Sequence, residues 1–197
     1  MARELLGLTI HGDERVYGPA EDSMLLASNV TASAEHRALE VCTGTGLAAL
    51  RLARGGAATV ATDVHPVACR LARRNARAND LDLAVVCTDL AAGVSARFDR
   101  IACNPPYLPA GGDHLGGPIG RALESGRRGT ALTQRFLDRL PDLLAAEGRA
   151  WLVVSSRQPV DELEARARRA ALAWHRVNEV AVGRFETLGL VELRREA

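Results

Sequence analysis

The chain has 197 residues, 47% of them hydrophobic, with 25 basic and 24 acidic side chains and a formal net charge of +1. That is enough for one domain with a buried core, here taken as residues 1–197, and too balanced for charge alone to draw it to nucleic acid or membrane. All 25 basic residues are arginines, which excludes Schiff-base and P-loop lysine chemistry.

No apolar run reaches the roughly 18 residues of a membrane span, and the opening "MARELLGLTIHGDERVYG" lacks the h-region of a signal peptide. A cytoplasmic protein is expected. The cysteines Cys42, Cys69, Cys87 and Cys103 form no C-x-x-C, so they read as buried free thiols. His65 and Cys69 share a helical face, but two ligands do not hold a metal, and none is expected.

In chain order, residues 1–36 contain a helical pattern over Met24–Val30 that Asp22 or Ser23 can cap. "RALEVC" (37–42) is the first strand, followed by a glycine turn and a helix over Leu47–Arg54 that Gly55 stops. "ATVATD" (58–63), a helix over Pro66–Ala78, then "LAVVCTD" (83–89) and "RIACN" (100–104) come next. A helix over Thr130–Ala146, stopped by Gly148, leads into the strand "RAWLVVSS" (149–156). Pro159–Ala173 is a further helix whose Arg166, Arg168 and Arg169 form a solvated face. The tail reads as two strands joined near Phe185–Gly189.

This alternation predicts an α/β fold: a mainly parallel, Rossmann-like sheet of seven strands with helices on both faces and a terminal antiparallel hairpin. One long irregular stretch, Pro109–Gly129, holds seven glycines and Pro118. It is either a substrate-covering loop or plain disorder.

Candidate functional residues gather at strand ends. Gly44 and Gly46 let a ligand approach the backbone at a helix N-terminus, although Gly44-x-Gly46-x-x-Ala49 also fits the looser dinucleotide fingerprint. Glu40, an acid on an apolar strand, either holds that turn or receives a cationic amine. Asp63 can accept from ribose hydroxyls or cap the helix after it. Asp89 can accept from an adenine amino group while Leu90 touches the ring. Three acids at or near three consecutive strand ends, beside one glycine turn, indicate an adenosine pocket. The strand in "FDRIACNPPYLP" (98–109) stops at Asn104, Pro105, Pro106 and Tyr107, as a turn or as a site.

With "VYGPAEDSMLL" (16–26), "LEVCTGTG" (39–46), "ATDVHPVA" (61–68) and "FDRIACNPPYLP", the chain closely resembles the class I S-adenosylmethionine-dependent methyltransferases. Within them it resembles the HemK-like family, which methylates glutamine nitrogen in release factors, and looks most like its short eukaryotic and archaeal branch. The resemblance implies S-adenosyl-L-methionine as cofactor and S-adenosyl-L-homocysteine as product. It places Ser23, Glu40, Cys42, Thr43, Gly44, Gly46, Asp63, Val64, Asp89, Leu90 and Asn104 around that cofactor, with Glu21 or Asp22 fixing the segment above it. It makes Asn104, Pro105, Pro106 and Tyr107 the grip on the nitrogen to be methylated.

Two departures stand out: Cys42 occupies the place where the family's turn begins with glycine, and only about 36 residues precede the first core strand. Bacterial relatives carry a recognition domain there. A release factor or other protein substrate is therefore expected to be met by the glycine-rich loop, by a small partner subunit or in a homodimer. Other acceptors stay open: a small metabolite, or an exocyclic amine of a nucleic acid whose phosphates a patch of Arg121, Arg127 and Arg128 would bind, which the balanced charge disfavours. A non-catalytic cofactor-binding subunit would leave the Asn-Pro-Pro-Tyr set unexplained.

Overall fold

The computed structural model of the chain describes residues 2–109 and 125–196. The core of the expected substrate loop, residues 110–124, lies outside the described residues. Seven strands form one sheet: β3 (Arg37–Val41), β4 (Ala58–Asp63), β5 (Ala84–Cys87), β6 (Phe98–Cys103), β7 (Leu144–Ser155), β8 (Leu172–Val182) and β9 (Glu186–Arg195). Their order is β5-β4-β3-β6-β7-β9-β8. The first five in that order run parallel, and β9 is antiparallel to both neighbours. The expected class and terminal hairpin are borne out.

Side-chain alternation splits the core into two layers, as a sheet covered on both faces requires. Leu39, Val41, Ile101, Cys103, Leu152 and Val154 pack under α4 (Ala131–Leu143) and α5 (Val160–Arg169). Ala38, Ala102, Trp151 and Val153 pack on the other face under α1 (Glu21–Asn29) and α2 (Leu47–Arg54). The helix α3 (Pro66–Ala78) starts with its proline in the first turn and keeps the expected bounds, as does α2.

Three helices end or begin elsewhere than their patterns suggest. α1 starts at Glu21, with Ala20 in the capping position, so neither Asp22 nor Ser23 caps it. α4 stops at Leu143 rather than Ala146: Pro141 cannot donate to the preceding turn, and Arg97 donates to the Pro141 and Leu144 carbonyls. Arg195 reaches the same two carbonyls. α5 ends at Arg169, and Ala171 takes a left-handed backbone at φ 54 before β8 begins. Of its arginines, Arg166 is ion-paired with Asp138 of α4 at 2.5 Å and Arg168 with Glu164 at 2.6 Å. The turn of the last hairpin is Gly183–Phe185, earlier than expected.

A two-stranded element at the start, β1 (Ala2–Leu5) and β2 (Leu8–His11), has no counterpart in the sequence expectations. Two asparagines four residues apart, Asn75 on α3 and Asn79 at its C-cap, complete it. Asn79 exchanges hydrogen bonds with the backbone N–H and carbonyl of Thr9 at 2.8 and 2.9 Å, and Asn75 does the same with His11 at 2.9 and 3.1 Å. These carboxamides imitate a neighbouring strand, satisfying groups an edge would leave to water. At the opposite end of the large sheet, β8 is an open edge. It is blunted by an irregularity between Arg176 and Asn178 and by its charged side chains. Among the described residues, no helix is long and apolar enough to cross a membrane.

Candidate active site

The chain leaves β3 toward β4 and β5, then returns to β6 on the other flank of β3. The connections leaving β3 and β6 therefore diverge, opening a crevice at the carboxyl edge of the sheet. One cleft there is lined by Ser23, Glu40, Cys42, Thr43, Gly44, Asp63, Val64, Asp89, Leu90, Asn104, Pro105, Pro106 and Tyr107. Of the residues that the resemblance placed around the cofactor, Gly46 is not in its wall, and neither is Glu21 in the segment above it. Gly46 is the N-cap of α2 at φ 87, where an added Cβ would meet the Ala72 methyl at 3.2 Å. Its role is the close packing of α2 on α3.

The glycine turn is braced from below. The Gly44 N–H donates to Asp63 Oδ2 at 3.0 Å, and the His65 N–H donates to Asp63 Oδ1 at 2.9 Å. Asp63 thus ties the end of β4 to the turn after β3. Its oxygens keep further lone pairs toward the cleft.

Glu40 is 4% exposed and accepts from the Thr43 hydroxyl and, at 3.0 Å, from the Ala49 N–H in the first turn of α2. It satisfies an amide that a helix start leaves orphaned. Burial pushes its carboxyl up to about 8 against an ordinary 4.5, with the Thr43 and Ala49 bonds pulling the other way. It acts on the turn directly and also borders the cleft.

Across the crevice, Asn104 Oδ1 is buried and has no hydrogen-bond partner among the described residues. An unpaired buried acceptor costs the fold free energy, and its position in the cleft wall gives that cost a use. Pro105 follows and has no N–H to offer. Tyr107 donates its hydroxyl to Asp22 Oδ2 at 3.3 Å, and Asp22, 2% exposed, also accepts from the Ser23 N–H at 2.6 Å. Burial foremost, then the Asp22 charge, holds the Tyr107 phenol far above its ordinary range. The same causes push Tyr17, also in the cleft wall, up to about 12. Asp22 therefore joins the start of α1 to the Asn-Pro-Pro-Tyr turn.

Behind that turn, the Ser125 N–H donates to the Leu108 carbonyl at 2.9 Å. Gly129, at φ 67, lies so close that a Cβ would overlap the Tyr107 carbonyl. Gln158, 5% exposed, donates to the Gly129 carbonyl at 2.6 Å and accepts from the Ser155 N–H at 3.0 Å, strutting the turn from the end of β7.

At the far end, Asp89 is ion-paired with Arg135 of α4 at 2.6 Å, both side chains about half exposed. Arg135 carried no signal in the sequence. Leu132, in the wall, was equally silent, and Tyr17, also there, had no role assigned although it lies in the stretch 16–26. Among the described residues, no three potential ligands gather as a metal site.

The chain around this cleft is similar to known proteins. The model of the methyltransferase small domain matches residues 9–116. A Methanocaldococcus jannaschii protein provisionally named a protein N5-glutamine methyltransferase is 35% identical over 158 residues, 79% of this chain and 80% of its own length. The chain belongs to the HemK-like methyltransferases. The human methyltransferase HEMK2 is 32% identical over 182 residues, covering 83% of this chain and 85% of that one. In fold, this HemK-like chain matches the E. cuniculi Mtq2–Trm112 complex, described as responsible for methylation of the eRF1 translation termination factor. The TM-score is 0.71 at 21% identity, over 92% of this chain and 99% of the other.

Proposed function

We propose that this methyltransferase moves a methyl group from S-adenosylmethionine to the side-chain amide nitrogen of a glutamine in a protein, a peptide release factor first among candidates. The observation that carries the reading is Asn104 Oδ1: a buried acceptor, unpartnered, in the wall of a cleft whose other side is acidic.

The cleft's residues fit the cofactor's groups. Asp63 retains lone pairs for ribose hydroxyls, Asp89 and Leu90 suit the amino group and plane of adenine, and the Glu40 carboxyl at the cleft's border offers an acceptor to an ammonium group. When bound, the cofactor supplies an electrophilic methyl on a positively charged sulfur.

A carboxamide nitrogen has a delocalised lone pair and attacks poorly. Asn104 Oδ1 and the Pro105 carbonyl accept its two N–H bonds and turn its lone pair toward the methyl. Tyr107, steadied through Asp22, covers the amide plane. Fixed dipoles and proximity supply the acceleration, without a covalent intermediate. A small second subunit, as in the Mtq2–Trm112 complex, belongs to the same proposal, with co-purification of a complex larger than one chain as its observable.

The test is incubation with methyl-labelled S-adenosylmethionine and, in parallel, a release-factor peptide containing glutamine, the same peptide with glutamate, RNA, DNA and small amines. Label on the glutamine peptide alone supports the proposal. Label on a nucleic acid or small amine, with none on peptide, overturns it.

A further inference from the structure

Cys42 is the first residue beyond β3, and Val41 before it is the register partner of Cys103 on β6. Parallel strands lie about 4.8 Å apart and rise about 3.3 Å per residue, so one step past a register pair sets two Cα atoms about 6 Å apart. A disulfide spans about 4.4–6.8 Å between Cα atoms. The Cys42 side chain packs against the buried cluster that contains Cys103.

They differ in access. Cys42 lines the cleft, held at φ 61 where side chains are rare, while Cys103 is 0% exposed. Burial keeps the Cys103 thiol protonated well above its ordinary range. Nothing in the methyl-transfer chemistry uses either sulfur.

We propose that Cys42 and Cys103 form an oxidisable dithiol in the wall of the cleft, closed by a peroxide and reopened by a thiol reductant, and that closure stops methyl transfer. Cys42, the sulfur a small oxidant can reach, attacks one peroxide oxygen: an S–O bond forms, the O–O bond breaks and one water leaves with the thiol proton. Cys103 then attacks the Cys42 sulfur: the S–S bond forms, the S–O bond breaks and a second water carries off the other proton. Two hydrogens and two electrons pass from the thiols to the peroxide.

The consequence for activity follows from what adjoins each sulfur. Cys42 opens the turn that ends at Gly46, and Cys103 immediately precedes Asn104. The bridge would bolt the cofactor turn to the base of the acceptor grip, and displacements of about 1 Å at such a place cost transfer heavily. A ligand filling the cleft would shield Cys42.

Cys69 donates to the Val86 carbonyl, one residue before the exposed Cys87, so these two thiols are a second pair that an oxidant could join. The experiment therefore uses the full chain carrying C69A and C87A, treated with hydrogen peroxide. The expected result is a mass lower by two hydrogens, a Cys42–Cys103 cross-linked peptide, and methyl transfer reduced about tenfold or more and restored by dithiothreitol. S-adenosylhomocysteine should slow the cross-link. Adding Cys103→Ala should retain transfer in the reduced protein and abolish both cross-link and inhibition. Sulfinic acid on Cys42 with Cys103 untouched overturns the proposal, as does a cross-linked chain of undiminished transfer. The cross-link is read by mass alone. Failure of the reduced chain to bind S-adenosylhomocysteine would therefore sink the functional reading and leave the dithiol to be judged separately.

Discussion

Asn104 is the residue whose removal should separate chemistry from folding. Its side-chain oxygen has no partner among the described residues, so Asn104→Ala deletes an orphaned acceptor rather than a structural bond there. Thermal midpoint and cofactor affinity should hold, while single-turnover transfer falls by about a hundredfold or more. Undiminished transfer would reduce the segment to a turn. Glu40 gives a pH signature. Its folded value of about 8 lies above the ordinary 4.5, so between them the folded chain keeps a proton that the unfolded chain has released. Stability should drain as pH rises through that window and level off above it. Glu40→Gln keeps an acceptor for the Ala49 N–H and should flatten this slope in urea titrations at several pH values. An unchanged slope would place the titration elsewhere. The acids at strand ends were readable because carboxylates there interrupt apolar runs. Their partners were not: Arg135, which pairs with Asp89, stands 46 positions further along the chain.

The Asn-Pro-Pro-Tyr turn depends on an element that sequence spacing could not connect to it. Gly129 packs its bare backbone on the Tyr107 carbonyl at a positive φ, so Gly129→Ala adds both a clash and a strained conformation. The expected variant folds and binds cofactor but transfers slowly, with faster hydrogen exchange at Leu108 and Ser125. Exchange and transfer equal to wild type would show that the support is dispensable. Strand and helix types were legible because β-branched runs and 3.6-residue periodicity alternate along the chain. The starting hairpin was hidden for two reasons: Leu8 and Ile10 alternate over only four residues, and the groups completing β2 are asparagine side chains on α3 and at its C-cap. The overlong estimate for α4 reflects periodicity that continues past Pro141, while arginines from distant segments take up the carbonyls where the helix stops.

Charge is spread over the molecule in short-range pairs. Arg128, a candidate for phosphate contact in the sequence, is held by Glu162 at 2.8 Å, and Arg135, Arg139 and Arg166 are each paired with a neighbouring acid. With a net charge of +1, no broad basic field is expected. Binding to duplex DNA or structured RNA should be weak at low salt and show a log–log salt slope near zero, not the steep slope of a protein that displaces many counterions. A steep slope would revive the nucleic-acid alternative.

The order in which the chain builds its sheet has a consequence for how the protein could be taken apart. Residues up to Leu90 supply the glycine turn and the three acids, and residues from Phe98 onward supply the acceptor grip. Between them, the stretch from Ala92 to Arg97 is mostly exposed, and the parallel pairing of β3 with β6 joins the two portions in the sheet. If the proposed site is right, a backbone cut in that link would give one fragment with most of the methyl donor's contacts and another with the acceptor's. Neither would be an enzyme alone. On the proposed reading, methyl transfer would then report the meeting of two polypeptides, since donor and acceptor sites would face each other only when those two strands zip together.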